Sequence, residues 1–328
     1  MKISPTRKFL RTGSICLALV VVALIPARLF PQTSDAKSVR IGLAGRNFSF
    51  LPFFAAQQMG FFNQEGLKVE MIYMRSPVAI PALTAGEIQY TTHFASVVRA
   101  AIKGFPVRVI LSTSDRQLFS LVTHGGIKRV EDLKGKAVAV SNPLGAHAHV
   151  TTQVLKRFGL DPGKDPRYVY LGEEAAWVTA LDSGLVAGAF IQPPTSMVLK
   201  KKGYNVLAHA ADYVELPVTG LSTSLERAQK YPEEVKAMLR AVYKGIRFVK
   251  DNRAGAIQLI AKFLNVGQDI AAETYDGTAK YLSENGVSSE AAIQAAIETL
   301  GDVKEKKIDS RAVADFTLLK EVLKSPAR

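Results

Sequence analysis

The chain has 328 residues, 48% hydrophobic and 22% charged, with a net charge of +13 at pH 7 and one cysteine, Cys16. That length suits about two domains, and a single cysteine inside a segment expected to be lost on export excludes disulfides, thiol catalysis and cysteine metal sites. The surplus charge is scattered: the dense runs are Lys200–Lys202 and Lys304–Lys307, neither interleaved with aromatics, so it reads as a solvated basic face and not as a nucleic-acid surface.

The N-terminus has the make-up of an export signal. Lys2, Arg7, Lys8 and Arg11 precede an apolar run from Ser14 to Pro26, shorter than the ~20 residues that span a bilayer. Residues 1–36 are therefore read as a signal peptide cut within Pro31–Lys37, with an uncleaved inner-membrane anchor as the alternative. The expected location is the periplasm, and the exported part keeps a net charge of +9.

From Val39 the pattern alternates. A strand at Val39–Leu43 runs into a loop, Ala44–Phe50, and then a helix over Pro52–Glu65 that opens on a proline, where the missing N–H costs nothing. A strand feeding a loop and a helix start leaves N–H groups pointing into a crevice, so this stretch is the expected first wall of a ligand site. Next come a strand at Lys68–Tyr73, a helix from Ser76 to Ala85, a strand at Ile88–Thr92, a helix over Phe94–Lys103 and a strand at Pro106–Leu111. A turn at Val130–Lys136 begins a second round: strand Ala137–Ser141, helix Gly145–Phe158, strand Tyr168–Leu171, helix Glu173–Asp182, strand Val186–Ile191, helix Pro194–Lys202, strand Tyr204–Ala208. Strands separated by helices predict parallel sheets covered on both faces.

The two rounds resemble each other. Ala82-Leu-Thr-Ala-Gly-Glu-Ile88 matches Ala180-Leu-Asp-Ser-Gly-Leu-Val186 at an offset of 98 residues. Each strand that follows ends at a polar tip, Thr92-His93 in one case and Gln192 in the other. Two such lobes with facing strand ends predict a cleft where ligands bind. Beyond Leu225 helices dominate. Pro232 starts one with an apolar stripe of Val235, Met238, Leu239, Val242, Ile246 and Val249, followed by helices at Ala254–Phe263, Asp269–Asn285, Ser289–Thr299 and Ser310–Lys324.

PFFAAQQMGFFNQEGLKVE, ALTAGEIQYTT, VEDLKGKAVAV, ALDSGLVAGAFIQPP and YPEEV, in that order, resemble the periplasmic substrate-binding proteins of nitrate, sulfonate and taurine type ABC importers, a family that includes thiamine-pyrimidine precursor binders. The resemblance runs from Val39 to at least Phe263. It implies an α/β, two-lobed periplasmic binding protein fold of type II kind, each lobe a mostly parallel sheet flanked by helices, joined by two hinge strands. Lobe 1 would be residues 37–121 plus 223–328, and lobe 2 residues 122–222. It further implies a monomer that captures a small organic, polar or anionic solute and delivers it to a permease in the inner membrane, with no cofactor and no chemistry. Carried over by position, the ligand-binding residues are Asn47, Phe48, Ser49, Ser76, Thr92, His93, Asp115, Gly145, Ala146, His147, Gln192 and Thr219. The chain departs from the family pattern at Gly188, where many relatives are acidic, and in Asn142–His149, which lacks the usual small hydroxyl residues.

Several residues have two readings. His147 and His149 are two apart, so on a helix their rings face different ways and no metal is expected. His93, directly after a buried strand, is the better ligand contact. Trp177 either stacks on a planar ligand or packs under its helix, and its spacing from Ala180 and Leu181 favours packing or the cleft rim. Of Phe48 and Phe50, at least one is expected in the cleft wall, given so short a loop. The competing functions are an enzyme on the same fold, of pyrimidine-synthase or dehydratase kind, and a membrane-anchored sensor. The absence of a phosphate-loop pattern and of a Ser-His-Asp set speaks against the enzyme.

Overall fold

A computed structural model describes residues 37–141, 146–301 and 308–324; the expected signal segment lies outside these. In chain order the elements begin with β1 (Lys37–Leu43), α1 (Leu51–Gln58), α2 (Phe61–Gln64), β2 (Leu67–Tyr73), α3 (Ser76–Thr84), β3 (Tyr90–Thr91), α4 (Phe94–Ile102) and β4 (Val107–Arg116). They continue through β5 (Ser120–Thr123), β6 (Ala137–Val140), α5 (Ala146–Arg157), β7 (Arg167–Tyr170), α6 (Glu174–Asp182), β8 (Gly188–Ile191), α7 (Thr195–Lys201), β9 (Asn205–His209) and β10 (Glu215–Ser224). The helices α8 (Leu225–Lys230), α9 (Pro232–Asp251), α10 (Arg253–Leu264), α11 (Gln268–Thr278), α12 (Glu290–Leu300) and α13 (Thr317–Lys324) complete it.

The strands form two five-stranded sheets of matching order, β2-β1-β3-β10-β4 and β7-β6-β8-β5-β9. β1 pairs parallel with β2 and β3, and β6 pairs parallel with β7 and β8. The strands that carry the chain between sheets run against them: β10 is antiparallel to β3 and β4, and β5 to β8 and β9. Both sheets are thus mixed, where the alternating pattern predicted parallel ones. Ser120–Thr123 belongs to the second sheet and Glu215–Ser224 to the first, so the chain crosses over Gln117–Phe119 and returns over Ala210–Val214.

The internal repeat is a real structural repeat. Ile88 N donates to Ala82 O (3.3 Å) and Val186 N to Ala180 O (3.2 Å), while Gly86 and Gly184 take φ of 76° and 74°. A side chain at either position would be strained in that left-handed conformation, and both glycines turn a helix end directly into a buried strand.

Three expected helices are shorter or broken. Pro52–Glu65 divides at Met59-Gly60 into α1 and α2. Asp269–Asn285 stops at Thr278, because the backbone beyond it bonds to β4: Ser283 N donates to Thr113 O and Ser112 N to Gly286 O, both 2.8 Å. Ser310–Lys324 keeps α13 alone, since Val109 N donates to Val313 O (3.0 Å) and Asp315 N to Val109 O (2.9 Å). β4 is the last strand of its sheet, and these two C-terminal segments cover an edge that would otherwise offer unpaired N–H and C=O groups. Periodicity cannot foresee such a capture, because it is decided by a strand some 170 to 200 residues away.

The predicted stripe of α9 is buried throughout. It packs on α1 so closely that a Cβ at Gly245 would sit 2.1 Å from Pro52 O, so this helix crossing requires glycine.

Candidate functional site

The segments after the parallel strands carry most of the expected site residues. After β1 the chain extends to Asn47, whose Oδ1 accepts the Ser49 N–H (3.0 Å) and so caps a 3-10 turn over Phe48–Phe50. The other end of that amide, Nδ2, donates to Gln192 Oε1 at 3.0 Å. Gln192 follows β8; its backbone N–H is held by Glu174 Oε2 (3.0 Å) and its carbonyl by the Ser196 N–H (3.1 Å). Asn47 and Gln192, 145 residues apart, therefore meet amide to amide between segments that leave the two sheets. The Asn47 amide is oriented by its second bond, and Gln192 is anchored through its backbone, which preorganises the contact.

Other expected residues are tied within the first sheet. Thr92 Oγ1 accepts the Ala44 N–H (3.0 Å), and Thr92 N donates to Gly42 O (2.9 Å). His93 is 3% exposed, with Nε2 3.0 Å from Met74 O and Nδ1 2.8 Å from Thr91 Oγ1. The carbonyl places the ring hydrogen on Nε2, and burial holds the imidazole below its ordinary pKa. Both ring nitrogens are engaged inside the lobe. The Thr113 hydroxyl links Ser49 O (3.2 Å) and Thr219 O (2.9 Å).

Asp115 stands apart, accepting from Ser112 Oγ (3.0 Å) and from Ser288 Oγ; burial raises its pKa and the two hydroxyls oppose the rise. Ser76, first residue of α3, is exposed. Phe48 and Phe50 are both buried, in one apolar group with Leu118 and Ala211 of the two crossings and Phe263 of α10. Arg46 lies over the Phe263 ring, 5.4 Å from its centroid, and donates to the Phe263 carbonyl near the end of α10, where a cation suits the helix dipole.

In the second sheet Gly145 lies outside the described residues, and Ala146, half-buried, opens α5. His147 is buried; Ser141 N donates to its Nδ1 (3.3 Å) and its Nε2 donates to Phe190 O (2.9 Å). Burial lowers its pKa to about 4, so the ring is neutral at physiological pH. It stacks on Trp177 with centroids 4.1 Å apart at 23°, and Phe119 meets it edge-on at 4.9 Å. His149 turns instead towards Thr299 of α12 (3.3 Å). Among the described residues no group of three or more His, Cys, Asp or Glu could hold a metal ion.

Two features escaped the sequence reading. Glu174 was legible as a carboxylate in a helix's first turn, yet nothing local marks it as the partner of Gln192. The contact between α7 and α11, where Lys201 pairs with Asp269 and with Glu273 (3.6 Å), has no sequence signature.

Two sheets of one strand order, crossed twice by the chain and bridged by polar groups from the segments beyond their strands, define the two-lobed fold of periplasmic solute-binding proteins. The chain belongs to the NMT1/THI5-like family, whose model matches residues 47–256. It is similar in fold to the periplasmic aliphatic sulphonate binding protein SsuA from Escherichia coli, at 19% identity and a TM-score of 0.70, covering 84% of this chain and 91% of that one. The periplasmic nitrate-binding protein NrtA from Synechocystis is similar at 15% identity and a TM-score of 0.68, covering 88% of each chain. Riboflavin-binding protein RibY from Chloroflexus aurantiacus is 24% identical over 229 residues, 68% of this chain and 65% of that protein, slightly under two thirds of its length. Among the described residues no helix is long and apolar enough to cross a membrane.

Proposed function

We propose that this protein is the extracytoplasmic receptor of an ABC importer, taking a small polar or anionic organic solute between its lobes and handing it, unaltered, to an inner-membrane permease. The observation that carries this reading is the Asn47–Gln192 bond. The Asn47 amide is fixed by the Ser49 N–H and the Gln192 backbone by Glu174 and Ser196, so a solute of matching polarity replaces the amide–amide bond without disturbing what holds either residue in its lobe. Engagement of both lobes at once is how a hinged receptor couples capture to closure. The described relatives are named for a sulphonate, nitrate and riboflavin, ligands that share hydrogen-bonding oxygens and little else. Of the other expected contacts, Ser49, Thr92 and Ala146 would line the same cleft.

Mass spectrometry of solute released on denaturing the purified protein identifies the compound, and calorimetric titration of that compound follows. Asn47→Ala is expected to weaken binding about tenfold or more, the usual consequence of leaving a desolvated polar partner unpaired. Unchanged affinity in an Asn47→Ala/Gln192→Ala double variant would remove the pair from the site, and turnover of the compound would replace the receptor reading with an enzyme on the same fold.

A further inference from the structure

Trp177 is the only tryptophan of the chain. Its side chain is 5% exposed, and its indole Nε1 is buried with no hydrogen-bond partner. An indole N–H can only donate. Buried donors left without an acceptor are uncommon in folded proteins and call for a reason.

The packing accounts for the ring but not for the N–H. One face of the ring stacks on His147, and its apolar surroundings include Val122, Ile191 and Leu199. His147 cannot serve as the acceptor, because its Nδ1 already takes the Ser141 N–H and its Nε2 gives its hydrogen to Phe190 O. The place in the fold is specific. Trp177 lies one turn of α6 after Glu174, the residue that holds the backbone of Gln192, and residues three apart share a helix face. On the other side of Gln192, four residues along, the Ser196 hydroxyl is also buried and unpartnered. Two unused donors thus lie on the helices that hold and follow the residue that meets Asn47.

We propose that Trp177 Nε1–H is the second lobe's fixed donor to the solute, selecting ligands that present an acceptor (a carbonyl, carboxylate or sulfonate oxygen, or a ring nitrogen) and refusing groups that offer only donors. This rests on the receptor reading above. His147 positions the indole by stacking and stays neutral, so the site presents a donor without a positive charge and takes neutral acceptors as well as anions.

A single tryptophan makes the test direct. Protein labelled with 15N at tryptophan gives one indole cross-peak, to be followed during titration with riboflavin, ethanesulfonate and nitrate, while melting temperature reports binding independently. At least one of the three is expected to raise the melting temperature and move the indole proton downfield. Trp177→Phe keeps the ring and deletes the donor, and is expected to weaken that compound's binding at least tenfold with no loss of melting temperature in its absence. A compound that binds while the cross-peak stays in place, or binds Trp177→Phe equally well, overturns the role of Trp177 and leaves the receptor reading standing. If none of the three raises the melting temperature or moves the cross-peak, the role proposed for Trp177 towards these acceptors is overturned, and the receptor reading is decided separately by the solute that mass spectrometry identifies. The wild-type titration decides the matter even if Trp177→Phe does not fold.

Discussion

Both lobes bury neutral polar contacts, but among the described residues only the first adds a largely buried ion pair, whereas the second adds stacked rings. Beneath the first sheet Glu234 is buried against Tyr90, whose hydroxyl donates to it at 2.9 Å, and against Arg227, whose guanidinium reaches both of its oxygens at 2.7 and 2.9 Å. Nearby, Glu65 takes Arg240 (2.6 Å) and Lys244 (2.8 Å), joining α2 to α9. The second lobe has no counterpart among its described residues. Its interior polar contacts include the neutral His147 between Ser141 and Phe190, flanked by Trp177 and Phe119. The strand order is the same, so the difference lies in what covers the sheets. The C-terminal helices bring charge to the first lobe, whereas the second is closed by its own short helices and uses rings. One lobe thereby has a charged frame and the other an aromatic one.

The strongest test of that contrast is Arg227→Met. The side chains of Arg227 and Glu234 are 19% and 4% exposed. Removing the guanidinium strands a carboxylate that is almost wholly out of water, which typically costs about 3–5 kcal/mol. The expected loss in urea unfolding is about 4 kcal/mol, with much of it restored in Arg227→Met/Glu234→Gln, where the charge itself is gone. A loss under about 1 kcal/mol would mean that the frame is held by α9's apolar stripe alone.

The second lobe answers to pH instead. Burial holds His147 at about 4 against an ordinary 6.5, so the unfolded chain binds a proton there before the folded one does. The stability this gives is fully present above pH 6.5 and is lost as pH falls towards 4, by about 3 kcal/mol from a single group. Burial lowers His93, His149 and His209 in the same direction, so the informative quantity is the wild type minus His147→Gln. That difference is expected to slope between pH 6.5 and 4 and to be flat above; a flat difference throughout would show that His147 charges without opening its stack. The quantum yield of Trp177, stacked on the same ring, should hold down to about pH 5 and fall only near pH 4, where the folded ring takes its proton.

The sequence carried the α/β alternation, the offset of 98 residues and the family because these rest on local rules: period, glycine turns and helix starts. Gln192 drew attention as the polar tip of a strand, and Asn47 came with the family resemblance. The rest depends on partners far along the chain. Nothing near Ser283 or Val313 shows that its backbone will cap β4, and nothing near Glu174 shows that it will hold Gln192. Phe48 and Phe50 illustrate the same limit. A three-residue turn has too little room to bury both rings in its own lobe, and the shortfall is met by Leu118 and Ala211 from the two crossings. His93 drew attention as the polar tip of a strand, but Thr91 and Met74, one of them 19 residues back, occupy both of its nitrogens.

Lys201 offers the smallest effect and the sharpest control. Its pairs with Asp269 and Glu273 also join oppositely charged groups from distant helices, but they link the second lobe's α7 to α11, with side chains 38%, 66% and 36% exposed. Charges this accessible gain little from each other, and salt screens them over ~3 Å at about 1 M. Lys201→Ala is therefore expected to lower the unfolding midpoint by a small fraction of the Arg227→Met effect at low salt, and by nothing measurable near ~1 M. Arg227→Met should retain its full cost in both. Because the two ion pairs differ chiefly in burial, an equal and salt-resistant cost at Lys201 would mean that the contact between lobes is as dry as the frame. Closure would then owe more to α7 against α11 than to the amides of Asn47 and Gln192.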